Sequence, residues 1–189
     1  HDYREMYGFF SSYPKDFLFS TPVEDLRRDI RSAMAAQSSR DFKATFRPAT
    51  VGSGISVMVI LSKDKFSRDG RLRIEDRLKQ RLAATQIDFS LSMGAEGGEF
   101  ARLYFSCVTP RKTPVRGTFA DLERELAEVS KSWPDRLQEE LYRRHGPKSG
   151  MGIFKVYGGA FSVEFHSHTS PSGAVHDIAA EPRSLADVP

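Results

Sequence analysis

One cysteine and five histidines bound the nucleophilic and metal chemistry open to this chain of 189 residues. Cys107 sits in an alternating apolar stretch with no histidine near it in sequence. A buried free thiol of that kind is ordinarily inert packing. A lone cysteine also excludes an intramolecular disulfide and any multi-cysteine zinc or iron–sulfur site. His166 and His168 would share one face of an extended strand, a spacing that zinc sites use. Further ligands would have to come from His176 or Asp177, and the Ser/Pro-rich surroundings read as a solvated tail, so no metal is expected. Gly52-Ser53-Gly54 begins like a dinucleotide fingerprint. Val57 stands where the third glycine belongs, however, and the glycines lead into a strand instead of opening a helix. No cofactor is therefore expected in this chain. Glu123, Glu125, Glu128, Asp135, Glu139 and Glu140 lie on polar helix faces. Several of them stand three or four residues from a cation, as Glu140 does from Arg144, which supports a helix and does not make an acid–base pair. No catalytic residue is expected.

The remaining local signal is basic. Lys+Arg number 28 against 25 Asp+Glu, a net charge of only +3, yet residues 63–81 hold Lys63, Lys65, Arg68, Arg71, Arg73, Arg77, Lys79 and Arg81 against four acids. An antiparallel α+β sheet can bind RNA by stacking bases on central-strand aromatics. Phe100-Ala101-Arg102-Leu103-Tyr104-Phe105 lacks the glycine that such a strand motif requires. Nucleic acid is therefore not the expected partner, and a stand-alone ferredoxin-like RNA-binding module is the alternative reading. No apolar run approaches the roughly 18 residues of a membrane span, so no membrane partner is expected. The chain opens on His1-Asp2 without a Met, which suggests a piece cut from a longer protein.

The elements that must position these residues can be read from periodicity. Residues 3–20 are rich in aromatics, and Pro14 stops a regular helix from running through them. Thr21-Pro22-Val23-Glu24-Asp25 reads as a helix start with Thr21 as cap; Leu26, Ile30 and Met34 follow at helical spacing. Phe42, Ala44 and Phe46 alternate as a half-buried strand, and Ile55 to Leu61 is apolar enough for a central one. A helix is expected from about 71 to 84. Gln86–Ser92 and Phe100–Val108 form a second hairpin, with Ile87, Phe89 and Leu91 inward. Thr118 to Asp121 resembles a capping box. It opens one long helix striped by Leu122, Leu126, Val129, Trp133, Leu137 and Leu141, kinked near Ser130 by Pro134 and stopped at Gly146-Pro147. Residues 151–165 are ambiguous. Phe161, Val163 and Phe165 alternate as in a strand, whereas Phe154, Tyr157, Phe161 and Phe165 sit at helical spacing. The order strand, strand, helix, strand, strand, helix predicts an α+β ferredoxin-like sandwich. It has an antiparallel sheet with helices on one face and an extra N-terminal hairpin strand. The suggested boundaries are 1–41, 42–145 and 146–189.

Several stretches, in order, resemble the non-catalytic N-terminal half of the large bacterial NAD-specific glutamate dehydrogenases. Ser12-Tyr13-Pro14-Lys15-Asp16-Phe17-Leu18-Phe19 is similar to that family's SYPRDELF segment. Val59 to Phe66 resembles its VYxPRDRY strand and loop, with Ser62 in place of the proline, and Arg73-Ile74-Glu75-Asp76-Arg77-Leu78 resembles the helix that follows. Ala101 to Phe105 is similar to ARxHF. Ser132-Trp133-Pro134-Asp135-Arg136-Leu137 is similar to SWxDxL, Tyr157 to Phe161 to YxxAFP, and Ala174 to Ile178 to AVxDI. The resemblance implies an ACT-like module with flanking helical segments, a cytoplasmic location, and NAD as cofactor of the parent enzyme only. The implied partners are the remainder of the same subunit and further copies in a homo-oligomer, with an amino-acid effector as a further candidate. It also implies helix for 151–165. An effector would meet the loop after the central strand, at Lys63, Asp64, Lys65, Ser67, Arg68 and Gly70, where the ammonium and guanidinium groups could hold a carboxylate and Asp64 an amine. The same six residues could instead cap the helix and contact a neighbouring domain.

Overall fold

The computed structural model describes Tyr7, Phe10 and residues 13–39, 42–49, 53–93, 99–110 and 117–180, the side chains of Asp16, Ser20 and 36–39 excepted. The connection 94–98 of the second hairpin, residues 111–116, most of the aromatic leader and the last nine residues lie outside that set. The chain folds as two compact units, His1–Ser130 and Lys131–Pro189.

The first unit opens with α1 (Lys15–Ser20) and α2 (Val23–Ser39). It continues through β1 (Lys43–Pro48), β2 (Gly54–Ser62), a 3-10 turn at Lys63–Lys65, α3 (Arg68–Leu82), β3 (Gln86–Ser92), β4 (Phe100–Val108) and α4 (Phe119–Ser130). The sheet order is β1-β2-β4-β3 with every neighbour antiparallel. β2 and β3 therefore run parallel to each other with β4 between them, a split β-α-β unit. β1 lies at the edge beside β2, where the last strand of a βαββαβ chain would lie. The ferredoxin-like sheet is thus completed from its N-terminus, as the two predicted hairpins require.

Register decides which side chains face which helices. Val57 pairs Phe105, Val59 pairs Leu103 and Leu61 pairs Ala101. These residues are buried with Ile74, Leu78 and Leu82 of α3 and Leu122 and Leu126 of α4. The alternate residues Met58, Ile60, Phe100 and Tyr104 face the other way and pack with Tyr13, Ile30 and Ala33. The two helices of the sandwich share one face, as expected, and the flanking helical segment lies against the second.

A buried polar network fixes that second layer. Arg47 donates to the Tyr13 hydroxyl and to Thr21 Oγ1, each at 2.8 Å, and pairs with Asp29 at 3.2 Å. Tyr13 in turn donates to Asp29 at 2.8 Å. Thr21 itself donates to the Phe17 carbonyl, so its hydroxyl joins α1 to β1 instead of serving the expected helix cap. Burial raises the pKa of Asp29 despite the Arg47 guanidinium, which pulls the other way.

In the second unit, α5 (Trp133–Tyr157), α6 (Val163–His168) and α7 (Pro171–Ala180) enclose Trp133, Leu137, Leu141, Ile153, Ala174, Val175 and Ile178. The expected single kinked helix is in fact two. Ser132 and Asp135 form a reciprocal capping box, and Pro134 sits in the first turn of a new helix, where it has no bond to break. Gly146 interrupts α5 at φ 77°, and the helix resumes through Pro147. At Gly150 a Cβ would come within 2.9 Å of the Leu141 carbonyl oxygen, so only glycine allows that approach. Residues 151–157 and 163–168 are helical, as the family resemblance implies; the local alternation is a by-product of aromatics packed around Trp133.

Arg47→Met leaves Asp29 buried without its cation and is expected to cost about 3–5 kcal/mol in urea unfolding, whereas Arg47→Met combined with Asp29→Leu recovers most of that loss. Equal losses for the single and the paired change would contradict the network's role.

Candidate functional site

The loop between β2 and α3 is built from its backbone outward. Lys63 N donates to the Glu99 carbonyl at 2.8 Å, which ties the loop to the start of β4, and Phe66 N closes the 3-10 turn onto Lys63 O at 3.1 Å. Ser67 has extended backbone angles and accepts from Gly70 N at 3.0 Å, making it the cap of α3. The helix thus begins three residues before the expected 71, since Asp69-Gly70 forms its first turn and not a loop. A hydrogen bond from Ser62 holds the Asp64 carboxyl below its ordinary value.

Of the six expected loop residues, Lys65, Ser67 and Gly70 line one dent, together with Phe66, Arg71 and the Ser130 backbone, over a floor of Leu61, Ile74 and Leu103. Its empty space is about 150 Å³ including the open mouth, and it is too narrow to enclose a water molecule. A Cβ on Gly70 would come within 3.2 Å of the Ser130 carbonyl, which is how closely α3 and α4 approach here. Lys63, Asp64 and Arg68 lie outside the dent; among the described residues the side chains of Lys63 and Arg68 form no ion pair.

The basic face of α3 is directed inward, at α4. Arg77 and Arg81 both reach Glu125, Arg77 at 3.1 Å. Arg73 Nε donates to the Val129 carbonyl at 2.8 Å. Burial raises the Glu125 pKa, but the hydrogen bonds from Arg77 and Arg81 outweigh it, and the net shift is downward. Arg71 pairs with Glu75 and lies 4.9 Å over the Phe89 ring. Sequence alone could not separate this clamp from a nucleic-acid face, because the acids that take up the arginines lie some 44 residues away.

The other candidates are also accounted for. Cys107 is 1% exposed, and burial, with a smaller contribution from Glu75, pushes its thiol up to about 12. Gly54 begins β2 inside a hairpin closed by Ala49 N on Gly54 O. His166 lies in α6, not in a solvated tail. Its ring stacks on Trp133 at 4.0 Å, and the Trp133 indole N–H donates to the Thr169 carbonyl at 2.8 Å. His168, His176 and Asp177 are exposed. Among the described residues no three His, Cys, Asp or Glu side chains converge on a metal position.

Residues 43–134 match the family model of the glutamate dehydrogenase ACT2 domain, and residues 140–180 that of the glutamate dehydrogenase helical motif 2. The chain carries two regions of the glutamate dehydrogenase family, its ACT2 domain and its helical motif 2. It is 25% identical over 178 residues to the NAD-specific glutamate dehydrogenase of Halomonas elongata, covering 94% of this chain and 11% of that protein. It is 24% identical over 165 residues to the enzyme of the same description from Pseudomonas aeruginosa, covering 87% of this chain and 10% of that one. The chain therefore spans about a tenth of the length of the curated relatives it matches. The ACT2 match runs from the first residue of β1 to the first turn of α5, so it contains the whole sheet and both clamped helices. The helical motif 2 match lies within the second unit.

Burial holds the His166 pKa below its ordinary value, so the folded second unit disfavours the imidazolium. Its contribution to stability is present above pH ~6.5, the unfolded value, and is lost as pH falls toward the lower folded value. Emission from Trp133, the sole tryptophan, is expected to titrate with a midpoint below 6.5, and His166→Phe should abolish the transition. An unchanged titration in that variant would refute the stacking.

Proposed function

We propose that this region is a non-catalytic scaffolding module of an NAD-dependent glutamate dehydrogenase. The parent enzyme would oxidise glutamate to 2-oxoglutarate and ammonia with reduction of NAD, in the cytoplasm and as a homo-oligomer, and this region would supply contacts to the remainder of the subunit. One observation carries the reading. The residues that could have formed a binding face, Arg73, Arg77 and Arg81, are spent on holding α3 to α4. What is left is a loop that exposes Asp64, Lys65 and Arg68, with Lys63 and Ser67 half-buried and Gly70 buried; its backbone is tied at Lys63 and Ser67, and among the described residues Lys63 and Arg68 form no ion pair. Such a loop is suited to docking against an acidic surface of a neighbouring domain.

An amino-acid effector on the same loop is a second reading, favoured by those two cations beside an Asp64 carboxylate held in its charged form. The narrow dent does not enclose such a ligand, which would have to lie on the surface with its carboxylate at Lys63 or Arg68.

In the whole dehydrogenase, Lys63→Ala with Arg68→Ala is expected to leave kcat and both KM values within about twofold of the parent. A tenfold loss of kcat in folded protein would place this region in the chemistry and overturn the proposal. Calorimetry with a panel of amino acids separates the two readings. Heat that disappears in the double variant assigns an effector to the loop; no heat from any member of the panel leaves it as an interface.

A further inference from the structure

The two edges of the sheet are treated differently. The β1 edge is protected by several devices at once. Ala44 N donates outward to Glu123 Oε1 at 2.9 Å, Lys43 pairs with the same carboxylate at 3.1 Å, and Pro48 ends the strand. Charges, proline and covered amides are the usual means by which an edge is kept from pairing. The β3 edge lacks the lysine, the proline and the ion-paired carboxylate that guard β1. Its seven residues, Gln86–Ser92, include no lysine and no proline, and Asp88 is their sole charge. No described strand pairs with its outer side.

Along that edge runs an apolar row. Ile87, Phe89 and Leu91 pair with the buried Cys107, Phe105 and Leu103, and so face the same side of the sheet. Yet Phe89 and Leu91 are each 37% exposed, and Met93, which continues the alternation, is 39% exposed. Phe89 is held in place by Phe105, at 5.3 Å between ring centres, and by the Arg71 guanidinium above it. The sequence expectation that Phe89 and Leu91 point inward is correct in direction, but α3 stops short of covering them.

We propose that β3 receives a fifth strand: an extended segment of the same dehydrogenase subunit, lying outside these 189 residues and carrying apolar side chains at alternate positions. The inference rests on the docking role proposed above and names a second surface for it. Main-chain hydrogen bonds along the open edge would supply the binding, and the row Phe89, Leu91, Met93 would select apolar residues at every second place. The area decides between occupants. Three partly exposed side chains offer only about 200 Å² of apolar surface, well short of the roughly 800 Å² per partner that a stable association between separate molecules buries. A segment of the same polypeptide needs far less, since linkage raises its effective concentration to about the millimolar range. About nine-tenths of the length of the matched relatives lies outside the region this chain covers, so such a segment is available.

Hydrogen exchange compares the intact dehydrogenase with the 189-residue chain at low and high concentration. The inference predicts that alternate amides of 86–92 exchange at least tenfold more slowly in the intact enzyme, and that Leu91→Lys with Met93→Lys abolishes the difference without shifting the melting temperature of the 189-residue chain by more than a few degrees. Equal rates in the two proteins would overturn it. Protection already present in the short chain would overturn it too, assigning the edge to a segment within this chain if independent of concentration and to a second copy if it grows with concentration. Exchange in the 63–70 loop is read in the same experiment. Slowing there without slowing in β3 refutes the fifth strand and leaves the docking role standing, whereas no slowing in either removes both.

Discussion

The strand β2 is apolar on both faces, and most of the first unit follows from that. Val57, Val59 and Leu61 require cover on one side, Met58 and Ile60 on the other. Each such side chain left in water forfeits about 1.5–3 kcal/mol, against total stabilities of about 5–15 kcal/mol for domains of this size. A ferredoxin-like sheet carries helices on one face only, so the second face has to be closed by other means. Here the segment before β1 does it. Tyr13, Ile30 and Ala33 close over Met58, Ile60 and Tyr104, and the Arg47–Asp29–Tyr13 network sets where they lie. The apolar contacts stabilise; the buried ions chiefly specify position, because burial of Asp29 costs more than its guanidinium partner returns.

With both faces closed over β2 and β4, what remains for partners is loops and edges. The basic helix α3 illustrates how misleading a charge count can be. Eight cations in 19 residues suggest a polyanion site, but three of the arginines reach across to α4, one covers Phe89, and among the described residues Lys63 and Arg68 form no ion pair. Two side chains capable of nucleophilic or acid–base chemistry are packed in the same way. Cys107 is sealed within β4, and His166 is stacked on Trp133.

The strands were readable because alternation is a local property: β1, β2, β3 and β4 all lie within one residue of their expected limits. Long-range pairing was not readable. Glu125 meets Arg81 and Arg47 meets Tyr13 only once the sheet has formed. The break between α4 and α5 was present in the letters, since Ser132 and Asp135 stand at capping-box spacing, but a proline inside an apolar stripe suggests a kink before it suggests a new start. The stripe itself serves two cores, with Leu122 and Leu126 in one and Trp133, Leu137 and Leu141 in the other. In the candidate loop, Ser67 and Gly70 were singled out by residue type; that Ser67 caps α3 and Gly70 admits the Ser130 carbonyl shows only in the folded chain. Only the resemblance, confirmed by the ACT2 and helical motif 2 matches, placed the chain in a family.

Thermal unfolding and dye binding of a chain truncated to residues 42–189 would test most directly whether the leader and α2 seal the second face. Sealing predicts that the truncated protein loses the cooperative transition of its first unit and binds a hydrophobic dye through the uncovered Met58, Ile60 and Tyr104. A truncated chain that unfolds cooperatively within a few degrees of the full one, and binds no dye, would contradict the account.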